Sequence, residues 1–146
     1  MELVAKTFDH LSSKELYDIL SLRNQVFIVE QNCPYQDIDG KDQGAIHMFY
    51  VEDNKIFAYL RIMDVGVSYG DAVSIGRVIS IVRRKGLATK LLKEAISLIK
   101  DRYPTCKIRL SGQKYARKLY ENLGFKVCSQ LYLEDGIEHM EFVLEL

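Results

Sequence analysis

The chain has 146 residues, 48% of them hydrophobic and 27% charged, and its formal net charge is zero. That length suits one domain spanning residues 1–146, with a single core that buries roughly two-thirds of the unfolded surface. The neutral balance argues against a dedicated nucleic-acid binder, which needs a strongly basic surface. Three cysteines, Cys33, Cys106 and Cys128, form no CxxC and no metal-ligand spacing with the histidines, so they read as reduced thiols. No apolar run approaches the ~18 residues of a membrane span, and the opening MELVAKTFDH lacks the charged-then-apolar pattern of a signal peptide. The expectation is a cytoplasmic protein without a membrane or nucleic-acid partner.

In chain order, Leu3 to Phe8 reads as a first strand. Ser12-x-x-Glu15 is a capping box, followed by a helical stripe of Leu16, Ile19, Leu20, Arg23 and Phe27 that carries the helix to about Glu30. The β-branched Val26, Ile28 and Val29 weaken its end. From Asn32 to Gly44 the chain is turn chemistry, a long loop of the kind that lines sites. Ala45–Glu52 and Lys55–Asp64 are strands joined at Asp53-Asn54. Val73 to Val82 is a buried strand by its β-branched content, and Leu87, Leu91, Leu92, Ala95, Ile96 and Ile99 give one apolar helix face. Cys106 to Ser111 alternates as a strand. Tyr115 to Leu123 is a short amphipathic helix closed by Gly124. Phe125–Leu133 and Ile137–Leu146 are the last strands, turned by Asp135-Gly136. The pattern predicts a mixed α/β sheet with flanking helices.

Between the buried strand and its helix lies the basic turn Arg83-Arg84-Lys85-Gly86-Leu87-Ala88-Thr89. A strand feeding a glycine turn into a helix N-terminus presents free N–H groups and a positive dipole end, so a phosphorylated ligand is the natural guest. Gly86 admits a phosphate to the main chain and Ala88 does not obstruct it. The turn contains neither GxGxxG nor GxxxxGK[ST].

Arg83-x-x-Gly86-x-Ala88 resembles the loop that holds the acetyl-coenzyme A pyrophosphate in the GNAT family of N-acetyltransferases. Gln113-x-x-Ala116-x-x-Leu119-Tyr120-x-x-x-Gly124-Phe125 is similar to that family's second recurrent block. Leu22-Arg23-x-x-Val26-Phe27-x-Val29-Glu30-Gln31-x-Cys33-Pro34-Tyr35, followed by Asp39, Asp42, Ala45 and His47, resembles its ElaA-like branch, as does Asp135-Gly136-Ile137-x-His139. The resemblance spans Leu16 to Met140. It implies a GNAT-type splayed central sheet, with the pantetheine arm between two parallel strands against backbone of Val78, Ile79 and Ser80. It also implies the pyrophosphate on Arg83, Arg84, Lys85, Gly86, Leu87, Ala88 and Thr89, Gln113 beside the arm, and Tyr120 as the acid that protonates the departing thiolate. The implied reaction is direct acetyl transfer from acetyl-coenzyme A to a primary amine of a small molecule or peptide, without a metal. Many members pair as homodimers.

The chain departs from the family pattern in its base. Where many members carry a glutamate on the central strand, this chain has Ser74, Ile75, Gly76 and Arg77. An alkyl amine of pKa ~10.4 must lose a proton before it attacks, so some group has to take it. Glu30, His47 and His139 are the candidates, and His139 also suits the acceptor cleft as a substrate contact. The alternatives are a core role for His47 and Tyr120, and solvent for Glu30. Asp37, Asp39 and Asp42 make the 32–44 loop suitable for a cationic amine. A coenzyme A-binding regulatory module, its transfer chemistry lost with the strand glutamate, is the competing function.

Overall fold

A computed structural model describes residues 1–81, 86–105 and 107–146. Strand β1 (Glu2–Thr7) passes through a short 3-10 turn, Phe8–His10, into helix α1 (Ser13–Arg23). The expected capping box forms: Ser12 Oγ accepts from the Glu15 amide and the Glu15 carboxylate accepts from the Ser12 amide. The helix does not run on unchanged to Glu30. From Asn24 to Val29 it widens into a π-helical turn, closed by bonds from the Glu30 amide to Gln25 O and from the Cys33 amide to Ile28 O. Three β-branched residues in this turn, Val26, Ile28 and Val29, crowd a regular α-helix.

Strands β2 (Ile46–Glu52), β3 (Lys55–Met63) and β4 (Val73–Ser80) follow, then helix α2 (Leu87–Arg102) and strand β5 (Lys107–Gln113). A 3-10 turn, Lys114–Ala116, leads into helix α3 (Arg117–Asn122), and Gly124 closes it at φ +99°. The single strand expected over Phe125–Leu133 is instead two, β6 (Lys126–Val127) and β7 (Tyr132–Glu134), both on the outer edge of β8 (Ile137–Glu145). Between them the Cys128 amide still bonds Glu141 O, but the Glu141 amide turns to Ser129 Oγ, a side chain replacing the ladder.

The sheet order is β1-β2-β3-β4-β5-β8-β6, with β7 also on β8. Among the described residues every strand pairing is antiparallel except β4 with β5, which pair in parallel at Val73↔Ile108 and Ser74↔Arg109. The cause of the parting is on the β3 side. Arg61 pairs with Gly76 and Tyr59 with Ile79, so Leu60 faces two residues, Arg77 and Val78. That bulge bends β4 away from β5, and Arg77 takes φ +53° to make it. A left-handed non-glycine residue costs on the order of 1–3 kcal/mol, which the ion pairs of Arg77 described below offset.

Each face of the sheet is covered. Leu91, Leu92, Ala95 and Ile99 of α2 pack with Ile62, Ile75, Ile108, Leu110 and Phe142 on one side. Ile19 of α1 packs with Phe49, Ile56, Tyr59 and Ile79 on the other.

Candidate active site at the splay

Where β4 and β5 part, a cavity of about 340 Å³ opens. Ile75, Gly76, Arg77 and Val78 line it from β4, and Ser111, Gly112 and Gln113 from β5. Alternate residues of a strand point to opposite faces. A cavity touching all three β5 residues therefore runs through the gap, from the α2 side of the sheet to the α1 side. Beyond Ser74 the β5-facing edge of β4 has no ladder partner among the described residues, which leaves backbone groups for an extended ligand. Val78 lines the cavity, the Ile79 side chain is buried against α1, and Ser80 pairs with Ala58 of β3.

On the α2 side stands Tyr120. It is 5% exposed, packed against Phe125 and Phe142 with ring centroids 6.0 and 5.0 Å away. Gly112 makes this possible, because a Cβ there would lie 2.7 Å from Tyr120 Cε2 and 3.0 Å from Phe142 Cε2. The hydroxyl has no hydrogen-bond partner among the described residues. Burial pushes it above the ordinary tyrosine range, so it remains protonated at neutral pH.

Of the turn expected to hold the pyrophosphate, Arg83, Arg84 and Lys85 lie outside the described residues. Gly86 caps α2 at φ +79° with no side-chain cap, and no described residue lies within 4 Å of where its Cβ would be. The first-turn amides of α2 lack intrahelical partners and suit an anion, and a side chain at 86 is disfavoured by conformation. The Leu87 side chain is buried in the core, so only its amide can serve a ligand. Ala88 and Thr89 are half-buried. Gln113 lines the cavity and donates to Gln31 Oε1 at 3.3 Å.

The 32–44 loop does not offer its aspartates to a ligand. Arg23, wholly buried, donates to Asp37 Oδ2 at 2.9 Å and Asp42 Oδ1 at 2.6 Å. Arg61 bonds Asp42 and Asp39, and Arg77 bonds Asp37 at 2.7 Å. The three aspartates expected to attract a cationic amine are spent on three arginines. Burial alone would raise the Asp42 carboxyl, but Arg23 and then Arg61 hold it below the usual range, and Arg61 does the same for Asp39. The loop is fastened to the sheet by charge.

The same network explains His47, which is fully buried. Its Nε2 lies 2.9 Å from the Asp42 carbonyl oxygen and its Nδ1 2.7 Å from the Tyr59 hydroxyl. A carbonyl only accepts, so Nε2 carries the hydrogen and Nδ1 accepts from Tyr59. Both nitrogens are occupied, and burial lowers the His47 pKa further. His47 is not on the cavity wall. Nor is Glu30, an exposed residue at the end of the π-helical turn within 3.4 Å of Gln25. The structure brings neither of these two base candidates to the splay.

His139 is brought there. It is 7% exposed and lines the cavity with Glu134, Asp135 and Ser111. The Asp135-Gly136 turn has φ of +51° and +79°, and pairs Glu134 with Ile137 and Tyr132 with His139. The Tyr132 ring stacks on His139, centroids 6.2 Å apart, and its hydroxyl reaches Ser111. Across the loop, the Cys33 thiol donates to Asp135 O at 3.1 Å, pinning the hairpin to the end of the π-helical turn. Glu134, Ser111 and Tyr132 escaped notice in the sequence. The turn register alone brings Glu134 and His139 onto one face; the Ser111 contact depends on β5 crossing to β8 and has no local signal.

A family model described as an acetyltransferase (GNAT) domain matches residues 9–146. A UPF0039 protein of Schizosaccharomyces pombe is 42% identical over 150 aligned positions, covering 100% of this chain and 98% of that protein. Protein ElaA of Escherichia coli is 34% identical, with 93% of this chain and 91% of ElaA covered. Among solved structures, an acyl-CoA N-acyltransferase from Pseudomonas aeruginosa superposes with a TM-score of 0.91 at 35% identity, covering 99% of each chain. The crystal structure of Escherichia coli ElaA does so with a TM-score of 0.91 at 32% identity, covering 99% of this chain and 100% of ElaA.

Proposed function

The chain belongs to the GNAT acetyltransferase family, and on that premise we propose that it transfers the acetyl group of acetyl-coenzyme A directly to a primary amine of a small molecule or peptide. The observation that carries this reading is the cavity through the β4–β5 gap, with a protonated phenol on one face of the sheet and an imidazole on the other. An acyl transfer needs a donor for the leaving sulfur and an acceptor for the amine's proton, and these sit on the two sides. The volume, about 340 Å³, accommodates the end of the arm with a small acyl group and the acceptor.

The roles follow from position. The unladdered edge of β4 from Val78 to Ser80 receives the pantetheine amides, and the turn from Arg83 to Thr89 with the α2 N-terminus receives the pyrophosphate. Gln113 lies beside the arm. Tyr120 donates its proton to the sulfur as the C–S bond breaks. Transfer from a phenol at pKa ~10 to a thiolate at ~8.5 costs about 2 kcal/mol in water, and more as burial raises the phenol, so donation has to be concerted with bond cleavage. Assembly as a homodimer and a cytoplasmic location belong to the same proposal. In its favour, no helix among the described residues is long and apolar enough to cross a membrane.

The test is calorimetric binding of acetyl-coenzyme A, joined to a thiol-release assay over a panel of amines. Amine-dependent thiol release is expected. Gly86→Glu should weaken binding tenfold or more, about 1.4 kcal/mol, through charge repulsion and backbone strain. Unchanged affinity in a folded variant would remove the turn from the site. Binding without thiol release for any amine would leave a coenzyme A-binding module.

A further inference from the structure

We propose that Glu134 and His139 together form the receiving site for the acceptor as an alkylammonium ion, and that His139 Nε2 takes its proton. This rests on the transferase reading above. His139 Nδ1 lies 2.8 Å from the Ile137 carbonyl oxygen, which only accepts, so Nδ1 carries the hydrogen. In the neutral ring Nε2 then presents a lone pair, and it faces Glu134 Oε2 at 3.4 Å. Two acceptors opposed at that distance, with no proton between them, repel each other. Glu134 is half exposed to solvent and its Oε1 lies 3.5 Å from the Ser111 hydroxyl, and the opposed pair is relieved by a proton on Nε2 or by a guest that brings N–H donors to both atoms. A primary ammonium has three donors and a positive charge, and the cavity reaches both residues.

Several of the other polar groups on the wall are already engaged. Tyr35 donates to Asp37 and burial pushes its hydroxyl up to about 12; Tyr132 is likewise raised by burial and engaged with Ser111. The Arg77 guanidinium, the one described cation lining the cavity, is spent on Asp37 and Asp39 and does not repel an incoming ammonium at full strength. The Cys33 thiol donates to Asp135 O, and the exposed Asp135 carboxylate, next to Glu134 on the wall, adds negative charge at the same end of the cavity. β5 contributes only uncharged residues, Ser111, Gly112 and Gln113. The loop aspartates are closed off by arginines, so the carboxylate charge for a cation comes from the hairpin.

The ammonium hands one proton to Nε2, and the nitrogen lone pair forms the C–N bond at the thioester carbonyl. The C–S bond breaks, sulfur takes the Tyr120 proton, and the second proton lost by nitrogen restores the phenol through water. His139 releases its proton to solvent, which is the one proton the overall reaction of an ammonium with a thioester yields.

The probes are n-butylamine, cationic at neutral pH, and aniline, which arrives neutral. The chain has three histidines, so the His139 ring resonances are identified by their loss in His139→Gln. Butylammonium should shift those resonances in the parent with coenzyme A present, and Glu134→Gln should weaken the binding tenfold or more. In turnover, His139→Gln should lower kcat/KM for butylamine by roughly 10²-fold and erase the acidic limb of its pH profile, while leaving aniline within about threefold. Unshifted His139 resonances, or an equal loss for both amines, would overturn the proposal. If butylammonium binds at the pair yet no amine releases thiol, the ammonium site stands and the transferase reading falls.

Discussion

Tyr120 and Gly112 form one unit, because the tyrosine ring occupies the space a β-carbon at 112 would need. Two substitutions separate the ring's position from its hydroxyl. Tyr120→Phe keeps the packing against Phe125 and Phe142, so stability should change little. If the hydroxyl protonates the leaving thiolate, turnover should fall roughly 10²-fold with acetyl-coenzyme A affinity nearly level. Turnover within about threefold of the parent would return Tyr120 to a core role. Gly112→Ala keeps the hydroxyl but forces both rings to shift, and overpacking of this kind costs about 1–3 kcal/mol. It should lower both the melting temperature and kcat, and an unchanged kcat would show that the ring's placement does not matter to the chemistry.

At the scale of elements, the loop after the π-helical turn is held by charge rather than by apolar burial. Arg23 arrives on the otherwise apolar stripe of α1 and meets Asp37 and Asp42 with 0% of its own surface exposed. Arg23→Met should fit the space, yet it strips two nearly buried carboxylates of a partner. Breaking such a pair costs about 3–5 kcal/mol, read as a lower urea midpoint with amide protection lost first between residues 33 and 44. Asp39→Asn, at the better exposed edge of the network, should cost less. If Arg23→Met is no worse than Asp39→Asn, the network does not fasten the loop. The loop also supplies Cys33, Tyr35 and Gln36 to the cavity, so its loosening should raise the KM for the amine more than it weakens coenzyme A binding.

For the whole molecule, the buried network dictates the pH dependence of stability. Folded His47 has a lowered pKa, so below about pH 6.5 the unfolded chain takes up a proton that the folded one refuses. That contribution is fully present above the unfolded pKa and is lost as pH falls. The depressed Asp39 and Asp42 carboxyls act with the same sign lower down, from about pH 4. Melting temperature should therefore decline from pH 7.5 to 5 and drop more steeply toward pH 3. His47→Gln should be less stable at pH 7.5 but flatter between 7 and 5. A parent curve flat from 7.5 to 5 would contradict the buried, neutral assignment of His47. The kcat of His47→Gln should keep the parent's acidic limb, because His47 does not reach the cavity.

What the sequence by itself determined was local. The capping box at Ser12 and Glu15, the Asp-Gly turn before β8, the glycine cap at Gly124 and the apolar face of α2 each depend on residues within a few positions of one another. Short-range hydrogen bonding and backbone conformation decide them wherever the segment sits. The family resemblance in the turn after β4 and in the Gln113–Phe125 block was legible for the same reason. The tertiary structure decided which charged groups remain free. Asp37, Asp39 and Asp42 looked available to a cation until Arg23, Arg61 and Arg77, 14 to 40 positions away in the chain, closed on them. His47 and His139 were both candidate bases, and only the fold told them apart. The first has both nitrogens bonded by Asp42 and Tyr59, while the second has one nitrogen held by its own backbone and the other turned toward Glu134 in the cavity. A side chain's protonation and availability depend on partners brought together by the sheet, and no periodicity along the chain encodes which strands will meet.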